Sequence, residues 1–154
     1  MNHSQWKIAV AIVLALPMLA TAHPDKKKCN VDTLKGQYVL SASGFTRPPG
    51  SAPNTPWVPK AIIEVLHFNG DGTLTTPGVA IANPFGDLGN VALPPAGAPG
   101  TYSINDDCSG SVEFLDANHV TWKMFVDSPE GHAVWMLQTN PANNVIQGMA
   151  KRVQ

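Results

Sequence analysis

Charge, cysteine and helical periodicity are all scarce in this chain, and each scarcity excludes something. Charged residues are 14% of the 154, ten basic against eleven acidic. No basic stripe is available for nucleic acid or an anionic membrane surface, so neither is expected as a partner. There are two cysteines, Cys29 and Cys108, and no C-x-x-C, which sets aside dithiol redox chemistry. Beyond residue 22 no apolar stretch approaches the roughly 20 residues of a spanning helix. Ser109-Gly110-Ser111 lacks a G-x-S-x-G context, and no serine has an obvious histidine partner. No amphipathic helix pattern and no internal repeat stand out.

Metal-ligand spacing is missing too, and no metal or cofactor is expected. His119 and His132 begin adjacent antiparallel strands, so they fall at opposite ends of a hairpin, roughly 25 Å apart at strand rise. His23 as a new N-terminus would offer copper an amine and an imidazole, but no second histidine is near it. Asp71 and Asp106-Asp107 do not fit the EF-hand pattern and read as turn chemistry.

The beginning of the chain reads as an export signal over residues 1–22. Lys7 supplies a thin positive region, Ile8 to Leu16 is an apolar run, and Ala20-Thr21-Ala22 is an A-x-A cleavage site. Pro17 interrupts the run, which argues against a membrane anchor. Removing 22 of the 154 residues leaves 132, with nine basic and eleven acidic side chains. The expected location is periplasmic or extracellular, with no membrane span after cleavage. In that setting Cys29 and Cys108 are expected to form one disulfide, worth roughly 4 kcal/mol in the chain-entropy model.

Residues 23–36 read as an N-terminal tail, including the solvated Lys26-Lys27-Lys28 run, pinned by Cys29. Residues 37–154 read as the folded domain. Strands are expected over Gln37–Thr46, Lys60–Asn69, Thr73–Asn83 (bulged near Pro77-Gly78), Thr101–Asn105, Ser111–Leu115, His119–Asp127, His132–Asn140 and Val145–Val153. Asn69-Gly70-Asp71-Gly72 is a strong hairpin turn, since Asn and Gly tolerate positive φ. Arg47–Pro59, with five prolines, and Pro84–Pro99 are long loops rather than regular elements.

Simple hairpins give a register. Asp127 then faces His132, Met124 faces Trp135, Trp135 faces Ala150, and Leu137 faces Gly148. Val112 faces Trp122, Phe114 faces Val120, and Tyr102 and Ile104 stand opposite Phe114 and Val112. One face collects Val112, Phe114, Trp122, Met124, Trp135 and Leu137 with Ile146, Gly148 and Ala150; Lys123, Gln138 and Gln147 fall on the other. Large residues oppose small ones, as a curved interior requires. The expected fold is all-β, an eight-stranded antiparallel up-and-down barrel with one disulfide; a β-sandwich is the alternative.

Three runs carry a resemblance: I-E-V-L-H-F-N-G-D-G-T-L-T, G-T-Y-S-I-N-D-D-C-S-G-S-V and V-I-Q-G-M-A-K-R. They resemble a group of exported bacterial proteins that look like the allene oxide cyclase-type barrel, related in shape to lipocalins and dirigent proteins. The resemblance implies eight strands around a cavity that takes hydrophobic small molecules. The plant enzymes' catalytic residues do not map one by one onto this chain, so no activity is carried over.

The candidate ligand-binding residues follow from the register. Glu64 shares a face with Leu66 and Phe68, and Arg152 falls inward by the C-terminal register. Together they would orient a polar ligand group in or at the mouth of a cavity. The competing reading has Glu64 in solvent, because its strand is apolar on both faces. Tyr102, Trp122 and Trp135 face inward, where plain core packing is the ordinary role of the two tryptophans. Trp57, in the proline-rich loop, suits a lid or a partner contact. The functional expectation is an exported binding protein for a small hydrophobic or amphipathic ligand. A cyclase- or isomerase-like enzyme in the same cavity, and a structural or surface-interaction protein with a filled barrel, are the alternatives.

Overall fold

A computed structural model describes residues 27–48, 50–76, 80–83, 98–115 and 119–153. The expected signal, His23 and most of the loop after residue 83 lie outside the described residues. Nine extended segments occupy the chain: β1 Lys35–Thr46, β2 Val58–Asn69, β3 Thr73–Thr76, β4 Ala80–Asn83, β5 Ala98–Ile104, β6 Ser109–Phe114, β7 Thr121–Val126, β8 Ala133–Asn140 and β9 Asn144–Arg152. A 3-10 turn, Val31–Thr33, precedes them. β3 and β4 both pair with β2, β3 through His67 and Phe68 and β4 through Ala61–Glu64. They therefore share one position; Pro77-Gly78, where a bulge was expected, lies outside the described residues. The ladder closes when β1 pairs with both β2 and β9. The fold is thus an all-β barrel of eight antiparallel strand positions, each following the last around the wall.

The strands cross the barrel at a steep tilt. Pairing runs from Ile62 through Ala42, Gly148, Met136, Met124 and Gly110 to Ile104. That row begins midway along β2 and ends at the last residue of β5. Small residues make room for the closure. A Cβ added at Gly148 would lie 2.5 Å from the Ala42 Cβ and from the Ser41 carbonyl oxygen.

One end is sealed. The 69–73, 104–109 and 126–133 turns gather there with the start of β1 and the end of β9. Residues 29–34, expected as part of a tail pinned by Cys29, lie across it as a plug: Leu34 and Cys29 are buried, and Asn30 caps the 3-10 turn through its side chain. Cys29 is bonded to Cys108, 79 residues on, with Cα atoms 5.0 Å apart. Cys108 takes a φ of 68°, which turns the hairpin toward the plug.

Strand β8 corrects the expected register. Met124 faces Met136, and Trp135 faces Phe125 on one side and Met149 on the other. Trp135 and Leu137 therefore point outward, both half-exposed, and Gln138 points inward, buried. The reason is loop length. Two four-residue turns were expected around β8, but Val126–Ala133 is joined through Asp127 and a loop at 128–132, with the Asp127 N–H donating to the Ala133 carbonyl. The next connection is only 141–143. One residue gained and one lost flips β8 alone and leaves β9 as expected, with Ile146 and Ala150 buried inside. Gly131 (φ 62°) permits the longer loop, since a Cβ there would sit 2.2 Å from the Thr33 carbonyl oxygen.

Candidate functional site

The inward-facing side chains are mostly apolar, with polar ones set among them. At the sealed end Phe68 stands edge-on between Tyr38 and Tyr102, with ring centroids 5.1 and 5.0 Å apart. The Tyr102 hydroxyl donates to the Val31 and Leu34 carbonyls (2.8 and 2.9 Å) and accepts from the Gly70 N–H (3.1 Å). The Tyr38 hydroxyl donates to the Gly131 carbonyl (2.6 Å). Arg152 donates from Nε to Tyr38 Oη and from Nη2 to the Thr33 carbonyl, both at 3.0 Å. Burial raises the pKa of both tyrosines, opposed at Tyr38 by the Arg152 bond and at Tyr102 by backbone bonds. Tyr102 and Arg152 are therefore committed to main-chain groups that lock the plug, and they do not reach a cavity mouth.

Above this layer Leu40, Leu66, Val112 and Met136 form an apolar floor, all buried. Beyond the floor, a few polar side chains stand among the buried Ala42, Phe114 and Ile146. Thr76, Trp122 and Gln138 are each more than nine-tenths buried. Thr76 Oγ1, Trp122 Nε1 and Gln138 Oε1 have no hydrogen-bond partner among the described residues. Gln138 Nε2 is used, donating to the Asn140 carbonyl at 2.9 Å. Trp122 and Gln138 are direct cross-strand partners. Glu64 pairs with the buried Leu40 and is half-buried itself, so it faces inward rather than into solvent. With eight strands at this tilt, Glu64, Thr76, Trp122 and Gln138 fall within about 3 Å of one height along the barrel axis. Glu64 and Thr76 are on one wall; Trp122 and Gln138 are on the wall opposite.

Toward the end away from the plug, Lys60 shares the inward row of β2. Burial alone lowers its pKa, with no acidic partner contributing. Thr46 bonds to Asn144 beside it, and Asn143 and Arg47 exchange backbone and side-chain bonds at the rim. Trp57 stands at this rim, under the Arg47 guanidinium, 4.1 Å from the ring centroid.

The structure thus brings together only part of the expected site. Glu64 and Trp122 line the polar layer. Trp57 is at the rim away from the plug, Arg152 and Tyr102 are at the opposite end, and Trp135 is outside. Thr76, Gln138 and Lys60 were missed. Thr76 and Lys60 carry an alternation signal, sharing parity with the inward Leu74 and Leu66; Gln138 was hidden by the slipped register. His119 and His132 mark opposite ends of the β7–β8 hairpin, and His119 pairs with Glu113 at 3.3 Å on the surface. Among the described residues no cluster of three or more His, Cys, Asp or Glu is placed to hold a metal ion. No described helix is long and apolar enough to cross a membrane.

This defines the class: a disulfide-stapled antiparallel barrel, plugged at one end, with three buried polar atoms, at Thr76, Trp122 and Gln138, that lack a hydrogen-bond partner among the described residues. No protein-family model, curated protein or solved structure matches the chain.

Proposed function

We propose that the protein binds a small amphipathic molecule inside the half of the barrel away from the plug. The observation that carries this is the set of three buried, unpartnered polar atoms at Thr76, Trp122 and Gln138. Native interiors leave few such groups, because each costs about 1–3 kcal/mol when unsatisfied. A ligand that accepts from Trp122 Nε1 and donates to Gln138 Oε1 would recover that cost while its apolar part rests on the Leu40–Leu66–Val112–Met136 floor. Lys60, facing in near the mouth, favours negative charge at the ligand's outer end.

Binding is preferred to a cyclase-like reaction for a specific reason. The two tyrosines with raised pKa are bonded to main-chain carbonyls at the sealed end, which leaves no tyrosine acid in the polar layer. The reading includes export, which suits a disulfide closing most of the chain, and keeps the likeness to allene oxide cyclase-type barrels as a matter of shape. Native mass spectrometry of the protein purified from several hosts tests it. A bound small molecule of defined mass is expected, released on unfolding. Recovery of bare protein from every host overturns it.

A further inference from the structure

The outside of the barrel is two-faced. Over β3, β5 and β6 the outward residues include Thr73, Thr75, Thr101, Ser103, Ser111 and Glu113. Over β7, β8, β9, β1 and β2 they are largely apolar. Phe45, Ile63, Phe125, Trp135, Leu137 and Val145 are each 50–58% exposed. Register gathers Trp135, Leu137, Val145 and Phe45 around β9 in one patch, with Phe125 and Ile63 a quarter-turn away on either flank. A single outward row runs Phe125–Trp135–Met149–Ser41–Ile63, and the next runs Lys123–Leu137–Gln147–Ser43–Ala61. The four side chains around β9 present on the order of 400 Å² of apolar surface, within what a monomer shows in one patch. That is about half of the roughly 800 Å² per partner of a standard interface, which suits a weak, concentration-dependent dimer.

We propose that this face packs against the same face of a second copy. The relief within the patch is self-complementary. Trp135 and Leu137 make a ridge on β8, whereas Ser41 and Ser43 leave a low strip on β1 across β9 from it. Two adjoining grooves of about 580 and 620 Å³ lie over β9 between ridge and strip, sharing Ser43, Leu137 and Gln147. A twofold axis running along β9 carries β8 of one copy over β1 of the other. Trp135 then rests on Ser41, Leu137 on Ser43, and Met149 on its own symmetry mate. Such an isologous contact closes at two copies. A closed ladder offers no edge for strand addition, so face-to-face sheet packing is the remaining mode. Lys123 falls toward the rim, where its charge stays hydrated.

Sedimentation velocity on the protein purified from the full-length gene, from about 1 to 100 μM, tests this. A monomer–dimer equilibrium is expected. Ser43→Arg and Trp135→Arg should each shift the species to monomer, and Ser111→Arg on the hydroxyl-bearing face should not. Met149→Cys, near the axis, should give a covalent dimer on mild oxidation, and Thr101→Cys should not; this arm does not depend on tolerance of arginine. A monomer throughout the range, or association that survives Ser43→Arg, overturns the proposal. So does a monomer that instead sediments with phosphatidylcholine–phosphatidylglycerol vesicles in a Trp135-dependent way, since the face would then be a membrane contact.

Discussion

Trp122 on β7 stands directly opposite Gln138 on β8, both inside the barrel, and neither the indole N–H nor the amide oxygen has a partner among the described residues. Thr76 Oγ1, on the facing wall, shares that condition. Its hydroxyl contributes desolvation cost without a compensating bond, while its methyl group packs. Thr76→Val keeps the shape and removes the cost. It is expected to raise the unfolding free energy of the ligand-free protein by about 1 kcal/mol, measured by urea denaturation. A loss of similar size would mean that the hydroxyl is satisfied.

Tyr102 behaves in the opposite sense. Its hydroxyl joins Val31, Leu34 and Gly70 and so ties the plug to the β2–β3 turn. Tyr102→Phe takes the hydroxyl from the Leu34 carbonyl and the Gly70 N–H, while the Val31 carbonyl keeps the Leu34 N–H, and is expected to cost about 1–3 kcal/mol with no change in ligand affinity. Urea denaturation and ligand titration of the same variant separate the two effects.

The Cys29–Cys108 bond holds the plug at the other side of the same end. Cys108→Ser with Cys29→Ser should lower stability by roughly 4 kcal/mol. Amide exchange should quicken first in residues 29–34, where the Cys29 N–H donates to the Asp106 carbonyl in the turn that carries Cys108. Uniformly faster exchange across the barrel would show that the bond acts on the whole fold instead.

Lys60 gives a pH dependence with a definite sign. Its folded pKa is lowered by burial, so the unfolded chain binds the proton more tightly. Below the folded pKa both states are protonated and the full burial cost is present. As pH rises through the folded value the cost is relieved, until the unfolded amine also deprotonates near about 10.4. Lys60→Met should therefore be more stable than the parent at pH 7, and the gap should narrow toward pH 10. Thermal melts of the two proteins side by side measure this; a constant gap would count against it.

Much of this architecture was legible in the residues, and the failures are local. Period-2 alternation located all eight strand positions, and Asn69-Gly70-Asp71-Gly72 marked its hairpin. Two cysteines far apart gave the staple. Alternation has no means of counting loop residues, however, and β8 is bounded by one loop longer and one shorter than four. Both faces of β8 carry apolar residues, Val134 and Met136 inside and Trp135 and Leu137 outside, so hydrophobicity could not reveal the slip. Gln138 was lost for the same reason. The pinning of the tail by Cys29 was legible, but not its close fit, because Tyr102 and Arg152, the side chains that hold its carbonyls, were assigned to a ligand site. Arg152 had the expected inward direction, but strand tilt carries it to the sealed end, away from Glu64.

The central claim is that the polar layer inside the barrel receives a ligand, and a fluorescence titration with dansylated undecanoic acid tests it most directly. The account predicts saturable binding with one probe per barrel. Thr76→Val with Gln138→Leu should weaken it at least about tenfold, equivalent to about 1.4 kcal/mol, and Trp135→Ser, on the outer wall, should leave it unchanged. Absence of saturable binding, or binding abolished by Trp135→Ser and indifferent to the interior pair, would contradict it.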